Sequence, residues 1–112
     1  MESTRQQKIA RLLQKELSDV LQTEGGNIYG NAMVTVTRVE VSRDSSYAKV
    51  YLSIFAAKDK KAVFDAVAGK GKELRFKLGQ RIKNQMRIIP ELHWIYDDTL
   101  DYLENIENLL KK

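Results

Sequence analysis

Cysteine is absent from this sequence, and proline and glycine are scarce, with one proline and six glycines in 112 residues. The lack of cysteine excludes disulfides, thiolate nucleophiles and cysteine-ligated zinc or iron–sulfur sites, and it is typical of a reducing compartment. No apolar run approaches the roughly 20 residues that span a bilayer, and the N-terminus lacks the apolar core of a secretory signal. We therefore expect a cytoplasmic protein without a membrane segment, folded as one domain over residues 1–112.

Side chains that carry catalysis are also few. His93 is the only histidine, and no obvious nucleophile accompanies it in its predicted strand, so a structural role is favoured. No phosphate-binding loop that ends in Gly-Lys-Ser or Gly-Lys-Thr occurs. We expect no enzymatic activity, no cofactor, no metal ion and no small-molecule substrate.

Asp97, Asp98 and Asp101 lie close together in sequence and suit a magnesium ion. Helix capping and pairing with the helix dipole account for at least two of these carboxylates. A small metal-dependent hydrolase built on the three aspartates is therefore kept as a minor alternative.

Positive charge is concentrated in one part of the chain. Residues 58–90 hold ten Lys or Arg against three acids, a net charge of +7. Residues 91–112 hold six acids against two lysines, a net charge of −4, and residues 1–57 are near balance. Because a concentrated basic surface attracts phosphate, this distribution indicates a nucleic-acid partner and an acidic segment kept away from it.

Apolar periodicity and turn residues predict the order of helices and strands. In the first strand the alternation of valines breaks near Thr37, which a β-bulge or burial on both faces explains. The first half is predicted to form a helix from a cap at Ser3 or Thr4 to just before Gly25-Gly26, a loop at 24–32, and an antiparallel hairpin of strands 33–42 and 47–55. The second half is predicted to form a helix at 58–67, a break at 68–71 and a helix from about 72 to Pro90. A strand at 91–97 and a last helix from Asp98 complete the predicted elements.

Two helices around a glycine-containing break, set on a three-stranded sheet, are the parts of a KH-like RNA-binding domain of the α+β class. The break and the helix after it carry seven cations in 18 residues, and backbone N–H groups that begin the second helix suit a phosphate. The candidate RNA contacts are Lys70, Lys72, Arg75, Lys77, Arg81, Lys83 and Arg87, with Arg5, Lys8, Arg11 and Lys15 as a second line on the first helix. The alternative for both sets is a solvated helix face.

Three stretches, taken in order, resemble the ribosome-binding factor A family. They are Val39-Glu-Val-Ser-Arg-Asp-Ser-Ser-Tyr-Ala-Lys-Val-Tyr-Leu52, Leu74-Arg-Phe-Lys-Leu-Gly-Gln-Arg-Ile82, and Met86-Arg-Ile-Ile-Pro-Glu-Leu92 running on to Tyr96-Asp-Asp-Thr-Leu100. Residues 5–16 are also similar to the first helix of the family. Here Gly69-Lys70-Gly71 lies one residue further from Gly79 than the family's break does, and the stretch from Arg81 to Pro90 is two residues longer.

The resemblance implies a type II KH-like fold and a non-enzymatic factor for late maturation of the 30S subunit, including 16S rRNA processing. It also implies binding to the immature 30S subunit through 16S rRNA near the decoding end, and release before translation begins. The residues at matching family positions are Arg43, Asp44, Lys49, Arg75, Arg81, Arg87 and Pro90, which adds Arg43 and Lys49 to the candidate RNA contacts.

We therefore expect a monomer whose partners are the 30S ribosomal subunit and 16S rRNA. The alternative is a protein-interaction module. In that case the sheet or the acidic last helix docks a protein partner, and the basic surface is incidental to function.

Overall fold

A computed structural model describes residues 3–55 and 57–99. The elements in chain order are α1 (Thr4–Tyr29), β1 (Met33–Val41), β2 (Tyr47–Phe55), α2 (Lys60–Gly69), α3 (Gly71–Ile82) and β3 (Glu91–Tyr96). The strands form one sheet in the order β1-β2-β3, in which β1 and β2 are antiparallel and β2 and β3 are parallel. The α+β class, the KH-like order of elements and the hairpin are thereby confirmed. The predicted last helix, beyond Asp98 and Thr99, lies outside the described residues.

The three helices pack on one face of the sheet, and the core lies between them. Alternate residues of β2 point into this core, and α1, α2 and α3 leave the opposite sheet face open at the start of β2, where Tyr47 and Lys49 are exposed. Each fully buried aliphatic side chain contributes roughly 1.5–3 kcal/mol to folding. The largest fully buried aliphatic residues include Leu13, Leu17, Leu21, Leu52, Ile54, Leu74, Leu78 and Ile82.

The first helix starts as predicted but ends later. The Ser3 hydroxyl accepts from Gln6 N–H at 3.1 Å, and the Gln6 side chain accepts from Ser3 N–H at 2.9 Å, so the helix begins with a capping box. The predicted end before Gly25 was wrong, because the helix continues to Tyr29. Gly25 is buried, and a β-carbon there would overlap the hydroxyl of Tyr29, which donates to Leu21 O at 3.2 Å. Packing of Tyr29 back onto its own helix offsets the cost of about 1 kcal/mol for a helical glycine.

Of the two explanations offered for the broken alternation near Thr37, the β-bulge is the one observed. The register between β1 and β2 shifts between Val36 and Arg38, which lets Val36 and Val39 both point into the core. The Thr37 hydroxyl donates to an Asp97 carboxylate oxygen at 2.7 Å. The bulge therefore ties the first strand to the end of β3.

The helix break also lies where it was predicted, with Lys70 alone between α2 and α3. A β-carbon on Gly71 would lie 2.9 Å from Trp94 Nε1, whereas Gly69 has open space at the same point. Gly71 is therefore required for the close approach of β3 to the start of α3.

The end of α3 differs from the prediction, because the helix stops at Ile82 and not at Pro90. Met86 N–H donates to Ile82 O at 3.0 Å, and the chain then turns away from the helix axis. The physical reason is long-range: Glu91 pairs with Tyr47 at the start of β2, so the chain has to return to the sheet. Met86 still packs on the core, although it does so from a turn.

Candidate nucleic-acid interface

Two of the predicted RNA contacts on α3 are held in ion pairs with α1. Lys77 Nζ lies 2.6 Å from Glu24 Oε1. The Arg81 guanidinium lies 3.3 Å from a Glu16 carboxylate oxygen and 3.6 Å from Asp19. These acids offset much of the positive charge on this side of α3. We call this side, with Lys77 and Arg81, the paired side.

Arg75 is also engaged within the protein. Its Nε donates to Pro90 O at 3.0 Å, and its Nη2 donates to Ile89 O at 2.6 Å. The fork of guanidinium donors suits two neighbouring carbonyl groups. Arg75 therefore holds the segment 83–90 against the side of α3. This segment leads into β3.

A groove brings together cations that lie far apart in sequence. It has a volume of about 600 Å³ and runs between the start of α1, the β1–β2 turn and the segment 83–90. Arg5, Lys8 and Arg87 line it, and none of the three forms an ion pair within residues 3–55 and 57–99. We call this the basic groove. Sequence reasoning placed Arg5 and Lys8 in a separate second line and Arg87 on a helix, so it missed their convergence.

Asp44 is the acidic residue of the basic groove, and it holds the β1–β2 turn in shape. Its carboxylate accepts from the Ser46 hydroxyl at 2.7 Å, from Ser46 N–H at 3.0 Å and from the Ser42 hydroxyl at 2.9 Å. Hydrogen bonds from Ser46 and then Ser42 lower the pKa of Asp44 to about 2. The carboxylate is therefore ionised at neutral pH, and its turn presents the exposed Arg43 beside it.

A second groove of about 570 Å³ adjoins the first and shares Arg87 and Ile88 with it. We call it the Phe76 groove, because Phe76 is 67% exposed on its α3 wall and Ile88 is 66% exposed opposite. Sequence reasoning missed Phe76. The available signal was its helical phase, because Phe76 lies off the buried stripe of Leu74 and Leu78 and so must face solvent.

The other predicted contacts lie around these grooves or away from them. Lys70 Nζ is 3.7 Å from Glu73 at the helix break. Lys49 lies on the open sheet face, so the structure does not bring it together with the helical cations. Of these other contacts, the exposed ones that form no ion pair within the described part of the chain are Arg11, Lys15, Arg43, Lys49, Lys72 and Lys83.

The groups considered for catalysis have structural contacts. The Asp97 carboxylate accepts from Thr99 and from Thr37, and these hydrogen bonds lower the pKa of Asp97 below its ordinary value. The His93 ring packs on Tyr47 with centroids 5.2 Å apart. Residues 3–55 and 57–99 contain no group of three or more His, Cys, Asp or Glu arranged to hold a metal, and Asp101 lies outside them. The same residues contain no helix apolar and long enough to cross a bilayer.

Comparison with known proteins decides the family. The model of the family described as ribosome-binding factor A matches residues 5–110. This chain belongs to the ribosome-binding factor A family. It is 45% identical to the ribosome-binding factor A of Cytophaga hutchinsonii over 112 residues, which are 100% of this chain and 84% of the relative. It is 40% identical to that of Flavobacterium johnsoniae over 111 residues, or 98% and 85%. The resemblance inferred from the three stretches is thereby confirmed.

Solved structures of the family share the fold. The crystal structure of ribosome-binding factor A from Thermus thermophilus has a TM-score of 0.69 and 22% identity, and the match covers 81% of this chain and 94% of that one. A Thermus thermophilus homology model fitted into a cryo-EM map of a 30S–RbfA complex has a TM-score of 0.62 and 24% identity, with 79% and 90% covered.

Proposed function

We propose that this chain is a non-enzymatic assembly factor that binds the immature 30S subunit through 16S rRNA in the cytoplasm. Its role there would be late maturation of the small subunit, including 16S rRNA processing. Membership of the ribosome-binding factor A family supports the ribosomal partner. The Thermus thermophilus relative in a 30S–RbfA complex supports the same assignment.

The observation that carries the RNA contact is the convergence of Arg5, Lys8 and Arg87 in the basic groove without ion pairs among the described residues. An unpaired exposed cation offers its full charge to a phosphate, and its binding releases counterions from the RNA. A phosphate at Lys77 would instead compete with a carboxylate 2.6 Å away and be repelled by it. We therefore assign the main phosphate contacts to the basic groove and its surroundings, and a smaller contribution to the paired side.

The other candidate contacts are expected to contribute less to RNA affinity than the basic groove. Lys83 and Lys72 extend the unpaired charge along α3, and Arg11 and Lys15 extend it along α1. Arg75 acts mainly as a positioning residue, because two of its donors hold the segment that carries Arg87. Phosphate contacts of this kind set affinity and orientation and do not read bases.

Charge reversal in the basic groove tests the proposal. We expect Lys8→Glu with Arg87→Glu to weaken co-sedimentation with immature 30S particles by about 100-fold, since two attractive contacts become repulsive. The matched control is Lys58→Glu with Lys61→Glu, which makes the same change in net charge outside both grooves. Binding that is unchanged in the first variant, or reduced equally in the control, would contradict the proposal.

The protein-interaction alternative has one supporting observation, the open sheet face, on which Tyr47 is 40% exposed. RNase treatment of a pull-down separates the two functions. Loss of small-subunit proteins after rRNA digestion supports the RNA contact, whereas their retention supports docking of a protein on the sheet.

A further inference from the structure

Two large apolar side chains face solvent within the basic surface. Phe76 is 67% exposed and Ile88 is 66% exposed, and both line the Phe76 groove. Apolar surface stabilises a fold when it is buried, so the exposed surface of these two side chains does not stabilise this one. Exposed apolar groups that lie together mark a binding surface more often than isolated ones do.

Contacts within the protein hold the two walls of the Phe76 groove in place. Phe76 and Gly79 on α3 and Lys83 at its C-cap follow one another at three- and four-residue steps, so they form one wall. The opposite wall is formed by residues 87–89, which the hydrogen bonds from Arg75 to Ile89 O and Pro90 O hold in place. A β-carbon on Gly79 would lie 3.3 Å from Ile89 Cγ1, so the glycine lets the two walls approach. A preformed groove reduces the ordering cost of binding.

The charge of the groove selects its ligand. Among the residues that the structure describes, its charged lining residues are Arg75, Lys83 and Arg87, and none of its lining residues is acidic. A flat apolar surface rimmed only by cations matches a nucleotide, which joins an aromatic base to a phosphate. Stacking of a base on a phenylalanine ring tolerates any base, because every base has a π face.

We propose that the Phe76 groove is a stacking site for an unpaired RNA nucleotide. The base packs on Phe76 and Ile88, and the flanking phosphates contact Lys83 and Arg87. This inference rests on the proposed function and deepens it, because it names single-stranded RNA as the preferred partner of this surface. Bases within a duplex are already stacked on their neighbours and do not enter the groove.

The test compares single-stranded and duplex RNA. We would measure dissociation constants by fluorescence anisotropy with a labelled oligouridine of about 12 nucleotides and with a labelled RNA duplex of about 12 base pairs, each long enough to cover one binding site. Phe76→Ala is expected to weaken binding of oligouridine by roughly 5- to 150-fold, the range of single-base stacking, and to change duplex binding less than about two-fold. Phe76→Trp is expected to restore the single-strand affinity.

Two controls separate stacking from other effects. Met33→Ala removes a side chain of similar exposure, 61%, outside both grooves, and is expected to leave both affinities unchanged. The slope of log K against log salt is expected to stay the same in Phe76→Ala, because stacking releases no counterions, and to fall by about one in Lys83→Ala. Circular dichroism checks that each variant remains folded.

Three outcomes of the oligonucleotide measurements would overturn the stacking site. They are oligouridine binding in Phe76→Ala as tight as in Met33→Ala, equal losses for single strand and duplex, and no measurable oligouridine binding by the unmodified chain. None of these outcomes predicts how charge reversal at Lys8 and Arg87 changes binding to 30S particles. The proposed function is therefore tested separately from the stacking site. Loss of 30S binding in Phe76→Ala without loss of oligouridine binding would assign the groove to a protein partner and would also overturn the site.

Discussion

Cations lie on both sides of α3, but their electrostatic surroundings differ. On the paired side, Lys77 and Arg81 form ion pairs with carboxylates on α1. On the other side, which we call the available side, Lys83 and Arg87 follow the end of α3 and form no ion pair within the described residues. Arg87 and Arg5 both line the basic groove. A count of lysines and arginines along a helix therefore overstates the charge that is available to RNA. The acids of a neighbouring helix decide which cations remain available.

Of three further changes, loss of the hydrogen bonds that hold the segment 83–90 on the available side is expected to have the largest effect on 30S binding. Arg75→Lys keeps the positive charge but cannot donate from a planar fork to Ile89 O and Pro90 O. If Arg75 is a positioning residue, this variant should weaken 30S binding by about ten-fold, as much as Arg75→Ala, because the segment with Arg87 is released. Filter binding and hydrogen exchange over residues 83–90 check this result. Near-normal binding by Arg75→Lys together with weak binding by Arg75→Ala would instead make Arg75 a direct phosphate contact.

Removing the acids that pair with Arg81 is expected to raise RNA affinity moderately. Glu16→Gln with Asp19→Asn removes the carboxylates beside Arg81 while keeping their shape. RNA affinity should rise by about three-fold, and the salt slope should steepen by about one, because one more cation becomes available. Thermal unfolding should change little, since exposed ion pairs contribute roughly 0–1 kcal/mol. Unchanged affinity would show that Arg81 lies outside the RNA contact whatever its partners are.

Removing a cation from the open sheet face is expected to have the smallest effect. Lys49 lies on the face opposite the helices, although the sequence resemblance implies that it is a candidate RNA contact. Lys49→Ala should change affinity for 30S particles by less than about two-fold at moderate salt, because screening limits its influence on distant phosphates. Co-sedimentation measures this effect directly. A loss comparable to that of Arg87→Ala would extend the RNA contact to the sheet.

The elements that could be predicted from sequence are those set by neighbouring residues. A helix cap at Ser3 or Thr4, a bulge or burial on both faces near Thr37 and a break at 68–71 were predicted, and the structure has a cap at Ser3, a bulge between Val36 and Arg38 and a break at Lys70, because each depends on local preferences. The end of α1 was missed because Tyr29 packs over Gly25 and outweighs the low helix propensity of glycine.

The parts of the site that escaped prediction depend on contacts between distant residues. Arg81 pairs with Glu16 across 65 positions, and helical periodicity carries no information on such a pairing. Arg5 and Arg87 share a groove only because α3 ends at Ile82 and the chain turns back to pair Glu91 with Tyr47. Charge density indicated the class of partner, and tertiary structure is needed to rank the individual cations.

The most direct test compares the salt dependence of two double variants with equal loss of charge. One is Lys8→Ala with Arg87→Ala in the basic groove, and the other is Lys77→Ala with Arg81→Ala on the paired side. Binding to immature 30S particles would be measured for both over a series of salt concentrations. We predict that the slope of log K against log salt falls by about two in the first variant and by less than about one in the second. Equal slopes, or a larger fall in the second variant, would contradict the claim that ion pairing with α1 decides which cations bind RNA.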